Sequence, residues 1–523
     1  LLDNNHKSII SLVPEYGLEK EKEQKEADKL AEYKSTLTND ELEELVKKTK
    51  ELKEYQDTPS SQEDLEKIPM LELSDIKREP AKDYNDVKSV DGIKIVHHNI
   101  FTNKIAYINM SFDTKCVPDE LIPYMGLLGS TLSLMDTKNY TYPELTNEIN
   151  INCGGLATGT ALYSDKVDFS KNTIVYEVKS KALYEKVPFV LGMMEEIMYN
   201  TRFDDYKRLK EIIARIKSRL EASLMGQGHS IAMLECCAQF SESAYYSDIL
   251  RGYKYYEFIK KLDEEFEQNK TQIVDKLNKL VGYIFNKDNV IVSLTADDEG
   301  YDCFVKALSA KSCNIKDEHY NTAVRSFIPV NVKTGYTSAS QVQYVARCGN
   351  FVKDGYKYTG ALKVLKVIFS YDYLWINVRV KGGAYGCMSG SSRNGDFYMV
   401  SYRDPNLEKT NDIYEGAADY IRNFDVSRRD MVKFIIGTIG EIDAPLTPSA
   451  IGSRSFTHYM CNCTEDMLRK DREEVLDATV ESIRELAPLI ESAVVQNYLC
   501  VVGNQKQINE AADLFDEIKP LIG

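Results

Sequence analysis

The sequence predicts an α+β protein in which two similar modules follow a charged helical hairpin. Two observations support this prediction: a Glu- and Lys-rich segment near the start, and an order of strands and helices that occurs twice. The length of 523 residues suits three or four units, because domains commonly contain about 100–200 residues. We place the boundaries after residues 17, 80 and 315.

The first 80 residues differ in composition from the rest. Ser8–Pro14 (SIISLVP) is a predicted strand. From Glu19 to Lys67 the chain is dense in Glu and Lys and poor in Gly and Pro, which favours helices. Thr38–Glu41 has the S/T-x-x-E pattern of a capping box, so a second helix is expected to begin there. Two helices joined by a short turn form the predicted hairpin, and an extended linker reaches Pro80.

The rest of the chain repeats one order of elements, including a Gly-Gly pair, which suggests a duplication. The first copy contains the predicted strand Lys104–Phe112, helix Asp119–Met135, the pair Gly154–Gly155, strand Asp168–Val178, helices Ala182–Tyr199 and Asp205–Leu224, strand Asn289–Leu294 and helix Tyr301–Leu308. The second contains strand Gln341–Ala346, helix Tyr358–Asn377, the pair Gly382–Gly383, strand Phe397–Tyr402, helices Thr410–Asn423 and Val426–Glu441, strand Asn497–Val502 and helix Asn504–Ile518.

Composition excludes several classes of function. With 65 Lys and Arg against 81 Asp and Glu, the formal charge of −16 disfavours nucleic-acid binding, which needs clustered cations. No apolar run approaches the roughly 18–20 residues that span a bilayer. Eleven cysteines in so long a chain indicate reduced thiols rather than a disulfide framework. No nucleic acid and no membrane are therefore expected as partners.

The sequence contains no recognisable metal-binding motif. None of its six histidines belongs to an H-E-x-x-H or H-x-x-E-H pattern. His97 and His98 are adjacent near a strand, so they should point to opposite faces and serve the structure. Cys461 and Cys463 have no second pair at zinc-ribbon spacing, so we interpret them as ordinary thiols.

One segment, YLWINVRVKGGAYG, combines groups suited to holding a peptide. Gly382 and Gly383 allow a backbone to approach closely. Arg379 offers a rigid fork of donors for carbonyls, and the Tyr385 hydroxyl can donate to an oxyanion. The structural alternative is a packed hairpin whose arginine is already paired.

This segment, VRVKGGAYG with the preceding YLW, resembles the C-terminal half of presequence protease-like zinc metallopeptidases, the oligopeptide-degrading branch of the pitrilysin/insulinase family. The resemblance covers nearly the whole chain, through the segments LLDNNHKSIISLVPEYGLEKEKEQKEADKL, MDTKNYTYPELTNEININCGG, MGQGHSIAM and IDAPLTPSAIGSR. It implies that residues 1–17 end a preceding domain, that 18–80 form the linker hairpin, and that 81–315 and 316–523 are two tandem domains resembling those of mitochondrial processing peptidase.

The resemblance also implies a function. Family members have four such domains, whose two halves close around a chamber that admits unfolded peptides. Zinc is expected in the missing N-terminal half, which would be the partner of this chain. Arg379, Tyr385, Gly382 and Gly383 match the positions that contact substrate, Arg379 the substrate backbone and Tyr385 the carbonyl or oxyanion. Because the first residue is Leu1, we expect a piece of a longer product.

The active-site pattern departs from the family in the first module. Aligned on MDTKNY, the zinc-binding pair falls near Leu127 and Thr131, with Ser130 at the place of the catalytic Glu. We therefore expect no metal here and no activity from this segment alone.

Two other interpretations stay open at this point. One is a stand-alone non-catalytic binding or assembly subunit of the same fold; the other is an unrelated α+β scaffold. The Lys- and Tyr-rich composition favours a bacterial cytoplasm, while a mitochondrial or plastid lumen also fits.

Overall fold

The structure, a computed structural model, describes residues 4–13, 15, 17–58, 60–311 and 314–522. It consists of two compact units, residues 1–71 and residues 72–523. No helix among the described residues is both long enough and apolar enough to cross a membrane.

The first unit is helical. Its helices are α1 (Leu18–Thr36), α2 (Asn39–Asp57) and α3 (Gln62–Glu66). The predicted capping box is present, since the Glu41 amide donates to Thr38 Oγ1 at 3.3 Å and the Thr38 amide donates to Glu41 Oε2 at 2.8 Å. The strand predicted over Ser8–Pro14 is wrong: residues 8–13 lie outside strands and are exposed, and Pro14 is outside the described residues. A strand needs a neighbour for its hydrogen bonds, and the described part of this unit contains no other strand.

The second unit contains two six-stranded sheets, one for each predicted module. The first sheet has the order β1-β2-β6-β3-β5-β4. Its strands are β1 (Asp86–Val90), β2 (Ile93–Asn99), β3 (Ile105–Asp113), β4 (Leu156–Ser164), β5 (Asn172–Leu183) and β6 (Val290–Ala296). Its helices are α4 (Ile122–Thr131), α5 (Tyr142–Asn152), α6 (Val187–Tyr199), α7 (Tyr206–Gly226), α8 (Gly228–Ala238), α9 (Glu242–Arg251), α10 (Tyr253–Glu264), α11 (Phe266–Ile284) and α12 (Asp298–Ser309).

The second sheet has the order β12-β7-β11-β8-β10-β9. Its strands are β7 (Thr334–Ser338), β8 (Tyr344–Asn350), β9 (Gly386–Ser391), β10 (Asp396–Tyr402), β11 (Tyr498–Asn504) and β12 (Glu517–Pro520). Its helices are α13 (Ala361–Tyr371), α14 (Glu408–Glu415), α15 (Ala417–Arg422), α16 (Arg428–Ile442), α17 (Pro448–Met460), α18 (Glu465–Leu476), α19 (Val480–Arg484), α20 (Ala487–Val495) and α21 (Gln505–Glu510).

Five strands of each sheet follow the same topology, which confirms the α+β prediction of tandem modules. In each sheet an early strand pairs in parallel with the late strand, as β2 does with β6 and β7 with β11. In each, the strand that follows the Gly-Gly pair lies at the edge, as β4 and β9 do. The sixth strand differs, because β12 comes from the end of the chain. The closing helix predicted to Ile518 therefore ends at Glu510, and residues 517–520 pair with β7 as a parallel edge strand.

Each module sends one helix onto the sheet of the other. Helix α8 packs on the second sheet, where a Cβ at Gly228 would collide with the Tyr344 ring. Helix α17 packs on the first sheet, where a Cβ at Gly452 would collide with Thr295. The modules therefore share their packing although they have separate sheets.

The segments around the predicted boundaries pack on this body. Leu73 and Ile76 contact the core of the second module, so the chain joins the α+β unit before Pro80. In the segment that links the two sheets, Arg325 Nη2 donates to Thr114 Oγ1 of the first module at 3.1 Å. The domain boundary at residue 315 stays a prediction.

Candidate functional site

The segment around the second Gly-Gly pair is a helical turn, not a hairpin. Residues 375–380 form a π-helical turn, a feature often found at functional sites. Leu374 and Val378 are fully buried and fix this turn to the core.

Both glycines are required by the backbone of this turn. Gly383 has a φ of +84°, which a residue with a Cβ rarely adopts, and a Cβ at Gly382 would collide with the Val378 carbonyl. The Gly382 carbonyl accepts a hydrogen bond from Asn406 Nδ2 at 2.6 Å. The conformation alone thus explains the glycines, and a contact of Gly382 or Gly383 with substrate stays a prediction.

The turn presents Arg379 and Tyr385 on the surface. The Arg379 guanidinium lies 3.9 Å from the centre of the Trp375 ring and 5.8 Å from that of Tyr385. No ion pair of Arg379 occurs in the part of the chain that the structure describes. The Tyr385 side chain is 66% exposed, and its ring meets Tyr402 edge-on at 5.8 Å. The arginine is therefore oriented by stacking while its charge is not neutralised.

The surface near these residues includes a side chain from the other module. His229, on α8, meets the Tyr402 ring edge-on at 4.9 Å, and burial lowers the pKa of its imidazole. Sequence reasoning missed this neighbour, because no spacing pattern connects residues 229 and 402. Close by, burial raises the pKa of the Cys387 thiol to about 11, so this cysteine is not an activated nucleophile.

The positions aligned with a zinc motif lie in the core and do not suit a metal. On α4, Leu127 is fully buried and has no ligand atom. The hydroxyl of Thr131 is buried and donates to the Leu128 carbonyl at 3.0 Å, and Ser130 Oγ lies 3.5 Å from the Gly126 carbonyl. Structural zinc sites use Cys, His, Asp or Glu, so these residues do not fit the ion.

The other histidines and cysteines noted in the sequence serve the structure. His97 and His98 lie in β2 and face opposite sides, the first stacking on Tyr301 of α12 and the second meeting Phe456 of α17. Desolvation lowers the pKa of both, that of His98 to about 4. Cys461 and Cys463 are free thiols.

Within the described residues, one group has its potential ligand atoms close enough for a metal ion. It comprises Asp288, Asp317 and His319. All three are exposed, as many surface acids are, so the group by itself does not indicate a site.

Two family models match the chain. A model for the region associated with M16 peptidases of subfamily C matches residues 12–262. The model described as "PreP C-terminal domain" matches residues 335–504, which include the π-helical turn and its glycines.

Among curated proteins, "Protein HypA" of Clostridium perfringens is 39% identical over 527 residues, covering 100% of this chain and 53% of that protein. "Presequence protease 1, chloroplastic/mitochondrial" of Arabidopsis thaliana is 30% identical over 530 residues, covering 100% of this chain and 49% of that protein. The chain thus spans about half the length of the curated relatives it matches. The similar proteins include bacterial and organellar ones.

Solved structures show the same fold. A "peptidase M16 inactive domain" of Pseudomonas fluorescens has a TM-score of 0.56 and 14% identity, covering 80% of this chain and 98% of that one. A protease of Helicobacter pylori has a TM-score of 0.56 and 13% identity, covering 80% and 99%. Together these matches show that the chain belongs to the presequence protease-like M16 peptidases and corresponds to their non-catalytic C-terminal half.

Proposed function

We propose that this chain contributes one wall of a peptide-degrading chamber and holds unfolded peptide substrates through Arg379 and Tyr385. The observation that carries the proposal is the Arg379 guanidinium, stacked on Trp375 beside the exposed Tyr385 and without an ion pair among the described residues. The proposed partner is the N-terminal half of the same polypeptide, where we place the zinc ion and the catalytic residues. A bacterial cytoplasm is the proposed compartment, consistent with the bacterial relative.

Each side chain has a distinct part in this proposal. A guanidinium presents a planar fork of N–H donors, which suits the carbonyl oxygens of an extended peptide. Stacking on Trp375 restricts the fork to one face, so less rotational freedom is lost on binding. The Tyr385 hydroxyl would donate to the oxyanion that develops when the scissile carbonyl is attacked. The zinc-aligned residues of α4 do not fit a metal, so no step of the reaction is assigned to this module.

The test compares variants of this chain assembled with the N-terminal half. Tyr385→Phe should lower kcat by about 100–1000-fold, the usual cost of losing one oxyanion donor. Arg379→Ala should mainly raise KM, because a contact made equally in the ground and transition states changes binding and not kcat. Tyr371→Phe is the matched control, since Tyr371 is 69% exposed and precedes the turn.

Unchanged turnover in Tyr385→Phe would remove the role of that hydroxyl. Unchanged kinetics in both variants, with normal assembly, would instead favour a purely structural or assembly role for the chain.

A further inference from the structure

The cleft between the two modules follows a strand edge that pairs with no other described strand. Strand β9 pairs with β10 on one side and is the last strand of its sheet. The consecutive residues 389–392 at the end of β9 all line a cleft of about 750 Å³. Side chains alternate between the faces of a strand, so a cleft lined by consecutive residues follows the strand's edge.

The walls of the cleft come from both modules and are mainly apolar. Among the side chains that line it are Leu162, Met233, Leu234, Ala244, Leu362 and Tyr398. Ser389 in β9 is 4% exposed, and its hydroxyl is buried without a hydrogen-bond partner in the described structure. A buried polar atom of this kind is uncommon, and it marks the floor of the cleft as incompletely satisfied.

The rim of the cleft is basic. Lys363 and Lys366 pair with Asp471 and Glu441. Arg251, at the end of α9, lines the same cleft, and the described residues include no ion pair for it. An acidic group that enters the cleft would therefore meet the Arg251 guanidinium.

We infer that the free edge of β9 binds an extended segment of a peptide as an added strand. The segment would place alternate apolar side chains against Met233 and Leu362 and an acidic residue near Arg251. This inference rests on the proposed function, because β9 begins at Gly386, directly after Tyr385. A peptide held by Tyr385 would thus continue along β9, whose six residues span about 20 Å at 3.3–3.4 Å per residue.

The test is binding of two fluorescein-labelled peptides to the 523-residue chain. Both have one sequence of alternating Leu and Thr with a central Glu, and they are N-methylated at either the odd or the even positions. An added strand turns alternate N–H groups toward its neighbour, so one peptide should bind at least about tenfold more weakly than the other. Arg251→Glu should weaken the better binder, whereas Lys506→Glu, on another surface, should not.

Hydrogen exchange locates the site. Addition of the better-binding peptide should slow amide exchange in residues 386–391. Equal affinity of the two peptides, or protection confined to another segment, would overturn the inference. The proposed function would survive that result if Tyr385→Phe still lowered turnover in the assembled enzyme.

Discussion

Replacing Phe456 tests whether the two modules stabilise one another. Phe456 belongs to the second module, yet its ring is 2% exposed and packs with Val96, Tyr163 and Val175 of the first sheet. Truncating a buried Phe to Ala removes its transfer free energy and leaves a cavity, which typically costs about 3–5 kcal/mol. We expect Phe456→Ala to lower the free energy of unfolding by this amount.

The assay combines guanidinium-induced unfolding, followed by circular dichroism, with amide hydrogen exchange. Exchange in Phe456→Ala should accelerate in β2 and β5, although the substitution lies far along the chain. Phe101→Ala is the control, because Phe101 is 74% exposed and surface changes usually stay within about 0.5 kcal/mol. A loss below about 1 kcal/mol, or faster exchange confined to the second module, would refute the exchange of helices as a source of stability.

Three further predictions concern the interface and the metal. Burial and the neighbouring Glu235 carboxylate raise the pKa of Asp248 well above its usual value. Folding therefore takes up a proton there, and stability should fall as pH rises from about 4 toward the raised pKa; Asp248→Asn should remove that slope in unfolding free energies measured at pH 5 and 8. Gly228→Ala should overpack Tyr344 and cost about 1–3 kcal/mol in chemical denaturation, and a neutral result would contradict the close approach. Purified chain dialysed against a weak chelator should hold near zero zinc by elemental analysis, and one retained zinc per chain would contradict the assignment of α4.

The repeated order of elements was predictable because it depends on local signals. Alternating polarity marks β3, and the Thr38–Glu41 pattern marks the start of α2 in the sequence as in the structure. The Gly-Gly pairs could be located, and the structure shows why Gly383 has to be glycine. Such signals depend on a few adjacent residues, so one sequence suffices to read them.

The exchange of helices was not predictable, because it depends on contacts between distant parts of the chain. Helix α8 carries apolar side chains like any core helix, and nothing in its spacing indicates the second sheet as its partner. The conformation of Trp375–Val380 was missed for a related reason: buried Leu374 and Val378 hold a π-helical turn where the sequence suggested the continuation of a helix and a hairpin.

The counterpart of the candidate site in the first module shows why fold and function separate in this chain. Counting from each Gly-Gly pair, Ile151 stands where the second module has Arg379, and Ala157 stands where it has Tyr385. Ile151 is 75% exposed, and neither side chain can donate to a peptide carbonyl. The five shared strands and the Gly-Gly pair thus occur twice, while the donors occur once. Since a shared fold does not carry a shared activity, substrate contact should be sought at the turn of the second module, and substitutions at residues 151 and 157 should leave peptide turnover unchanged.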